Sequence, residues 1–364
     1  MSSTQKNVAQ GKPAAHANQS GAQASVADFA HRLQWNENPY DFPADLKAIV
    51  MERWAEYAWA RYPTEIRPAA LLTALADHAG VTPENVTAAG GSCALIQLTL
   101  RAFLEPGDGI VLPAPTFGLY GREARKLHAQ VEEVALSPAD DYALPVDDLL
   151  LRGRQSRARL IALCAPNNPT GTVYTADELR RLIGGTDAVV AVDEAYREFC
   201  GQDLRPLLDE FENLILLRTF SKAYAMAGLR VGYALGAPRL IQAMDNLNPL
   251  FPLPVFSALA AEVALAHTPR FLARVDDIVA ERERMAAALG NLPGVTLFSS
   301  GTNFLLLQFD RDPAPILDGL KREHSVIVSD MAGYPELVNC LRISVGLPQE
   351  NDWVVEAVGK FCEG

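Results

Sequence analysis

The sequence predicts an α/β protein: a mostly parallel sheet of seven strands flanked by helices, followed by a smaller α+β unit. Three observations predict it. Between Val86 and Leu235, short apolar runs alternate with amphipathic stretches, and near-continuous apolar strands of this kind are buried on both faces, as crossover helices require. Beyond Leu235 the alternation changes at Pro249, Pro252 and Pro254, and a long helical stretch leads into a second set of strands. At 364 residues, 49% hydrophobic and 21% charged, the chain can build one large and one smaller core.

Taken in order, residues 1–25 are rich in Ala, Gln, Ser and Asn and read as a disordered tail. Residues 26–45 read as an arm, extended around Asn36, Asn38 and Pro39. A large domain is expected over 46–245. A helical pattern over 44–60, with Leu46, Ile49, Val50, Trp54, Tyr57 and Ala58 apolar, marks its start, and a second helix over 69–79 stops at Gly80. Strands are expected at 86–89, 110–112, 131–134, 160–164, 188–192, 214–217 and 231–235. Helices fall between them at 94–104 and 176–183, the latter opened by a capping box from Thr175 to Glu178. The smaller domain, 246–364, has a helix over 271–288 and strands at 295–298, 304–309, 326–328 and 341–345.

Composition removes several classes of function. A net charge of -12 without a Lys/Arg cluster argues against nucleic acid, which needs a basic face. Five scattered cysteines without CxxC spacing read as free thiols of a reducing compartment. The six histidines form no HxxxH pair, so no metal site is expected. With no apolar run of membrane-spanning length, the expected place is the cytoplasm.

Parallel sheets bind ligands beyond the carboxyl ends of their strands, so chemistry is sought there. After the run ending at Leu217 comes Thr219-Phe220-Ser221-Lys222-Ala223-Tyr224-Ala225, a lysine among small and apolar residues, with Arg230 eight positions on. A desolvated amine there can form a Schiff base, while Thr219, Ser221 and Arg230 can hold a phosphate. Gly90-Gly91-Ser92-Cys93 runs into a helix start, where free N–H groups favour an anion. The loop Ala165-Pro166-Asn167-Asn168-Pro169 offers the Asn168 amide as a donor. At the end of the next apolar strand stand Asp193 and, three residues on, Tyr196; a carboxylate there needs a cation, which a protonated pyridine nitrogen would supply. Phe117, after the strand at 110–112, offers a flat stacking partner. Together these residues match pyridoxal 5'-phosphate (PLP).

These motifs, with Asn36-Glu37-Asn38-Pro39-Tyr40, Arg61-Tyr62-Pro63, Asn168-Pro169-Thr170-Gly171 and Leu341-Arg342-Ile343-Ser344, resemble the class II PLP-dependent aminotransferases of fold type I. They are most similar to the histidinol-phosphate aminotransferase family, in order from about residue 33 to the C-terminus. The resemblance implies that Lys222 anchors PLP and shuttles a proton, and that Asp193 pairs with its ring nitrogen. Tyr196 and Asn168 would bond its phenolic oxygen, and Phe117 would stack on its ring. Ser92, Cys93, Thr219, Ser221 and Arg230 would hold its phosphate, joined by Tyr62 from a second copy of a homodimer. Arg342 would clamp the carboxylate of an amino or 2-oxo acid substrate, with Asn168, Asn36 and Tyr40 lining the same place. The implied reaction transfers an amino group between histidinol phosphate and 2-oxoglutarate.

Two positions depart from that pattern. Cys93-Ala94 stands where an acidic pair is common, and Ser329 stands where many members carry an arginine for the substrate phosphate. Ser329 therefore favours a non-phosphorylated acceptor, and an aromatic aminotransferase or a decarboxylase of an O-phosphoamino acid are the alternatives. A regulator's effector domain on this fold would carry a DNA-binding helix-turn-helix segment ahead of it, which residues 1–25 do not resemble.

Overall fold

A computed structural model of the chain describes residues 29–363; the tail expected over 1–25 lies outside the described residues. The strands are β1 (His31–Leu33), β2 (Val86–Ala89), β3 (Gly109–Ala114), β4 (Gln130–Ala135), β5 (Leu160–Cys164), β6 (Val189–Asp193), β7 (Leu214–Thr219), β8 (Gly232–Gly236), β9 (Val295–Leu297), β10 (Phe304–Phe309), β11 (Val326–Asp330) and β12 (Cys340–Ser344). Seven of them form the large sheet in the order β2-β8-β7-β6-β5-β3-β4. The neighbours from β7 to β4 run parallel, and β8 lies antiparallel to both β7 and β2.

The central strands are apolar throughout because both of their faces are covered. Side chains alternate across a strand, so Ile161, Leu163, Val190, Val192, Leu214 and Leu216 pack with Leu149, Leu179 and Leu182 of the helices Val146–Ser156 and Ala176–Gly184. Their neighbours Leu160, Ala162, Ala191, Ile215 and Leu217 pack with Leu95, Ile96 and Leu98 of the helix Ser92–Phe103 on the opposite face. β4 closes the sheet at one edge and carries Glu132 and Glu133, charges that discourage a further strand from adding there.

The small sheet has the order β1-β11-β12-β10-β9. The arm was expected only to be extended; residues 31–33 instead pair in parallel with β11, in the register His31↔Val326 to Leu33↔Val328. His31 Nδ1 also hydrogen-bonds Glu350 of the helix Pro348–Glu363 at 2.6 Å, which ties the arm to the end of the chain. The helix expected over 44–60 stops at Ala55. Its apolar spacing runs on because Tyr57 and Trp59 turn back to stack on Trp54, at 6.2 and 5.4 Å between ring centroids, and remain exposed. Helical spacing there serves a surface aromatic cluster and not a further turn.

Among the described residues all five cysteines are free, no group of acidic, histidine or cysteine side chains could hold a metal, and no helix is long and apolar enough to cross a membrane.

Candidate active site

The site is assembled where the carboxyl ends of β5, β6 and β7 meet the arm and the small sheet. β7 ends at Thr219, whose Oγ1 accepts the Ser221 N–H at 3.1 Å and donates to Ser221 Oγ at 3.0 Å. This local turn competes with continued pairing and sets Lys222 over the strand ends. Its Nζ donates to the carbonyls of Trp35 and Asn36, both at 2.8 Å, and lies 5.8 Å from the centre of the Tyr196 ring. Burial, helped by the positive charge of Arg342, brings the amine down to about 7. A lysine so placed is a neutral nucleophile at ordinary pH.

Asp193 ends β6 and is 3% exposed. Its Oδ1 accepts the Ala195 N–H at 3.0 Å. Burial drives the carboxyl up to about 7; the Ala195 hydrogen bond opposes the rise, neighbouring Glu194 adds to it, and Lys222 lowers it only weakly. The carboxylate thus stands short of positive charge.

Around Tyr196 the arm, the sheet and the small domain are joined by one run of hydrogen bonds. The Tyr196 hydroxyl accepts from Asn36 Nδ2 at 2.8 Å and from Asn168 Nδ2 at 3.3 Å. Asn168 Oδ1 in turn accepts from Arg342 Nη1 at 2.6 Å. Arg342 Nη2 donates to the Gln34 carbonyl at 2.8 Å and reaches Ser329 Oγ at 3.3 Å, while Ser329 Oγ donates to that same carbonyl at 2.8 Å. The pairing of β11 with β12 sets Ser329 directly opposite Arg342. The Arg342 Nε is buried without a partner, and its guanidinium lies 5.3 Å from the Phe304 ring centre. Asn36 is held at φ 54°, a left-handed conformation that asparagine tolerates. Its N–H donates to Ser344 Oγ at 2.9 Å and its carbonyl accepts from Asn303 at 3.0 Å.

The third part is a cradle at the start of the helix Ser92–Phe103. Gly91 has φ 83°, and a Cβ added to it would stand 2.6 Å from Arg230 Nη2. A Cβ on Gly232 would stand 2.8 Å from the Gly91 carbonyl carbon and 2.9 Å from the Ser92 nitrogen. Only glycine lets these backbones and the guanidinium approach. Arg230 Nη1 bonds the Ala227 carbonyl at 3.0 Å and reaches Ser221 Oγ at 3.5 Å. Ser92 and Cys93 open the helix, whose first N–H groups have no partner within it. Phe117 sits half-buried one residue before Gly118, the residue that caps the helix Leu119–Lys126.

The structure therefore gathers Lys222, Asp193, Tyr196, Asn168, Asn36 and Arg342 through contacts and charge, and Thr219, Ser221, Arg230, Ser92 and Cys93 around the cradle. Two expected residues stand apart. Tyr62 is 82% exposed and stacks on Phe251 at 5.0 Å. Tyr40 has its ring 5.8 Å from the Arg274 guanidinium, facing Asp277 and Glu281 of the helix Thr268–Leu289.

Several participants were not read from the sequence. The carbonyls of Gln34, Trp35 and Asn36 carry no side-chain signal at all. The Glu194–Arg218 pair, 2.7 Å apart and buried behind Asp193 and Thr219, did leave one: opposite charges beside two buried strand ends must find each other.

An amine at about 7 attacks an aldehyde, a carboxylate at about 7 calls for a cation, and a glycine cradle with an arginine calls for a phosphate. PLP answers all three, and fold and site define a PLP-dependent enzyme. The sequence pattern of the family described as aminotransferase class I and II matches residues 31–358. The histidinol-phosphate aminotransferase of Prosthecochloris aestuarii is 37% identical over 355 residues, covering 96% of each chain. The crystal structure of histidinol-phosphate aminotransferase from Sinorhizobium meliloti in complex with pyridoxal-5'-phosphate superimposes with a TM-score of 0.82 at 25% identity, over 92% of this chain and 91% of that one. L-threonine-O-3-phosphate decarboxylase from Porphyromonas gingivalis shares the fold, with a TM-score of 0.80 at 22% identity over 92% of this chain and 100% of that one. The chain belongs to the aminotransferase class I and II family, and it is a PLP-dependent aminotransferase.

Proposed function

We propose that the protein transfers an amino group between histidinol phosphate and 2-oxoglutarate, with PLP held on Lys222. What supports this reading is the 37% identity, over 96% of each chain, to a histidinol-phosphate aminotransferase, together with a lysine whose Nζ is held by the Trp35 and Asn36 carbonyls at the strand ends. When bound, PLP supplies an electron sink that lets a bond at the substrate α-carbon break heterolytically. Lys222 Nζ would hold the cofactor covalently and would carry the proton to and from the substrate α-carbon. Asp193 would pair with the ring nitrogen, Tyr196 and Asn168 would bond the phenolic oxygen, and Phe117 would stack on the ring. Ser92, Cys93, Thr219, Ser221 and Arg230 hold the phosphate. Arg342 presents its fork to the 2-oxoglutarate carboxylate, and the Asn168 oxygen that it already bonds fixes the direction of that fork. Asn36 completes the substrate's surroundings through its hydrogen bond to Tyr196, whereas Tyr40 faces the helix Thr268–Leu289 and takes no part.

One observation favours a second reading. Ser329 lies opposite Arg342 and adds a hydroxyl to the site where a phosphorylated substrate would gain from a further cation; a non-phosphorylated aromatic acceptor fits that surrounding. Initial rates with histidinol phosphate and with phenylalanine, 2-oxoglutarate being the acceptor in both, decide between them. Histidinol phosphate is expected to give the larger kcat/KM; a larger value for phenylalanine replaces the reading with an aromatic aminotransferase, and release of carbon dioxide from O-phosphothreonine, which carries an α-carboxylate, replaces it with a decarboxylase. Arg342→Lys lowers kcat/KM for 2-oxoglutarate about 10²-fold, because an ammonium cannot make the two parallel bonds of the fork and a truncated buried pair costs at least about 2 kcal/mol.

The same reading makes the protein a homodimer in which Tyr62 reaches the phosphate of the other copy. Exposed Tyr57, Tyr62 and Ile66 line one cavity with half-buried Phe251, and Trp59 and Leu250, 73% and 70% exposed, are their neighbours along the chain; exposed apolar surface of this kind marks an interface. Sedimentation equilibrium is expected to report a dimer, and Tyr62→Phe to weaken PLP binding without dissociating it. A monomer with full PLP affinity contradicts this assignment of Tyr62.

A further inference from the structure

Tyr120 has no place in the arrangement above, yet its position demands an explanation. It lies in the first turn of the helix Leu119–Lys126, and its N–H bonds the carbonyl of Phe117 at 3.2 Å. The turn that carries the stacking ring therefore carries Tyr120 as well. The side chain is fully buried in the apolar cluster that also holds Ile96, Leu112, Cys164, Ala191 and Leu217, a setting that suits phenylalanine. Its hydroxyl closes no hydrogen bond of good geometry, and a buried hydroxyl left unpaired is costly. The polar groups it faces are Asp193, Cys164 and Cys93. Cys164 is itself the register partner of Asp193 on the adjoining strand, so the phenol stands over the ends of β5 and β6.

Of these three, the carboxylate is the strong acceptor. Ala195 occupies one position on Oδ1, and a carboxylate has lone pairs for further donors. We propose that Tyr120 is a positioning residue for Asp193, its hydroxyl donating to the carboxylate and holding it ionised and oriented toward a protonated ring nitrogen. The proposal rests on the role assigned above to Asp193. It also explains why the phenol is retained in an otherwise apolar pocket. The groups that bear on Asp193 are Glu194 from its own strand, Lys222 from beyond β7, and Tyr120 from its helix. Cys164 and Tyr196, which Asp193 influences in turn, are pushed far up by burial and stay neutral. Removing the Tyr120 donor leaves Glu194 and burial less opposed, so the carboxyl titrates higher.

Tyr120→Phe keeps the ring among its apolar neighbours and removes only the donor. In apo-protein labelled at the aspartate carboxyl carbons, with Asp193 assigned by its absence in Asp193→Asn, the Asp193 midpoint is expected to rise above that of the unsubstituted protein. The Kd for PLP at neutral pH is expected to rise about tenfold, the equivalent of one pKa unit, with the melting temperature of the apo-protein unchanged or higher. In an Asp193→Asn background the same substitution is expected to leave the Kd where it was. An unmoved midpoint and Kd, an equal loss of affinity in the Asn background, or a lowered apo melting temperature without a shift of the midpoint each overturns the proposal. If Asp193→Asn alone leaves PLP affinity unchanged, it is the role of Asp193 that fails, and the two failures are told apart.

Discussion

Lys222→Ala is expected to lose the visible absorbance band of lysine-bound cofactor and to lower kcat by at least about 10⁴-fold, the upper end of what a positioned proton carrier contributes. Two roles vanish together, since the methyl group can neither hold PLP covalently nor move a proton. The amine's ionisation gives a second, independent signature. Burial and Arg342 bring its pKa from 10.5 to about 7, so half of the amine is neutral and reactive near neutrality and nearly all of it about two pH units higher. The rate at which apo-protein captures PLP should climb with pH, reach half its maximum near pH 7 and level off by about pH 9. A rate that kept climbing toward pH 10 would mark an ordinary solvated lysine.

The second large effect is at Asp193. Asp193→Asn keeps the shape and removes the charge that answers the ring nitrogen; removing one partner of a buried pair costs about 3 kcal/mol, or about 10²-fold in kcat. The apo-protein should respond in the opposite sense. A carboxyl raised from 3.8 to about 7 on folding binds more protons in the folded than in the unfolded state between those values, so stability falls as pH rises across that window. Asparagine has no such loss, so apo Asp193→Asn should melt no lower than the unsubstituted apo-protein at neutral pH. Lys222 acts with the opposite sign, and only between about 7 and 10.5, which leaves the lower window to Asp193. Calorimetry of both apo and PLP-loaded forms checks this: the gain in melting temperature on adding PLP should shrink in the variant. An apo-protein that is destabilised by the substitution contradicts the account of Asp193 as a carboxylate waiting for a cation.

Residues whose type and strand position coincide were legible in the sequence. Asp193 and Lys222 each follow an apolar run, and a parallel sheet sends such ends to one edge, so their meeting follows from topology alone. The strands at 160–164 and 214–217 were equally plain, because burial on both faces leaves no polar residue to blur them. Legibility failed where a long-range partner decides the structure. Nothing in His31-Arg32-Leu33 tells of Val326-Ile327-Val328, nearly three hundred residues away. It failed again where backbone does the work, as with the Trp35 and Asn36 carbonyls on Lys222. Tyr57 misled because a surface aromatic stacked on Trp54 mimics helical spacing. Tyr120 was in view beside Phe117, yet its sequence neighbours gave no hint of the carboxylate it faces.

The central claim is that Lys222 is the covalent anchor of the cofactor. Reducing the PLP-loaded protein with borohydride, digesting it and locating the added mass tests it most directly. The account predicts the cofactor on the peptide that contains Lys222 and on no other. Cofactor fixed to a different lysine, or a fully loaded protein whose Lys222 peptide is unmodified, would contradict it.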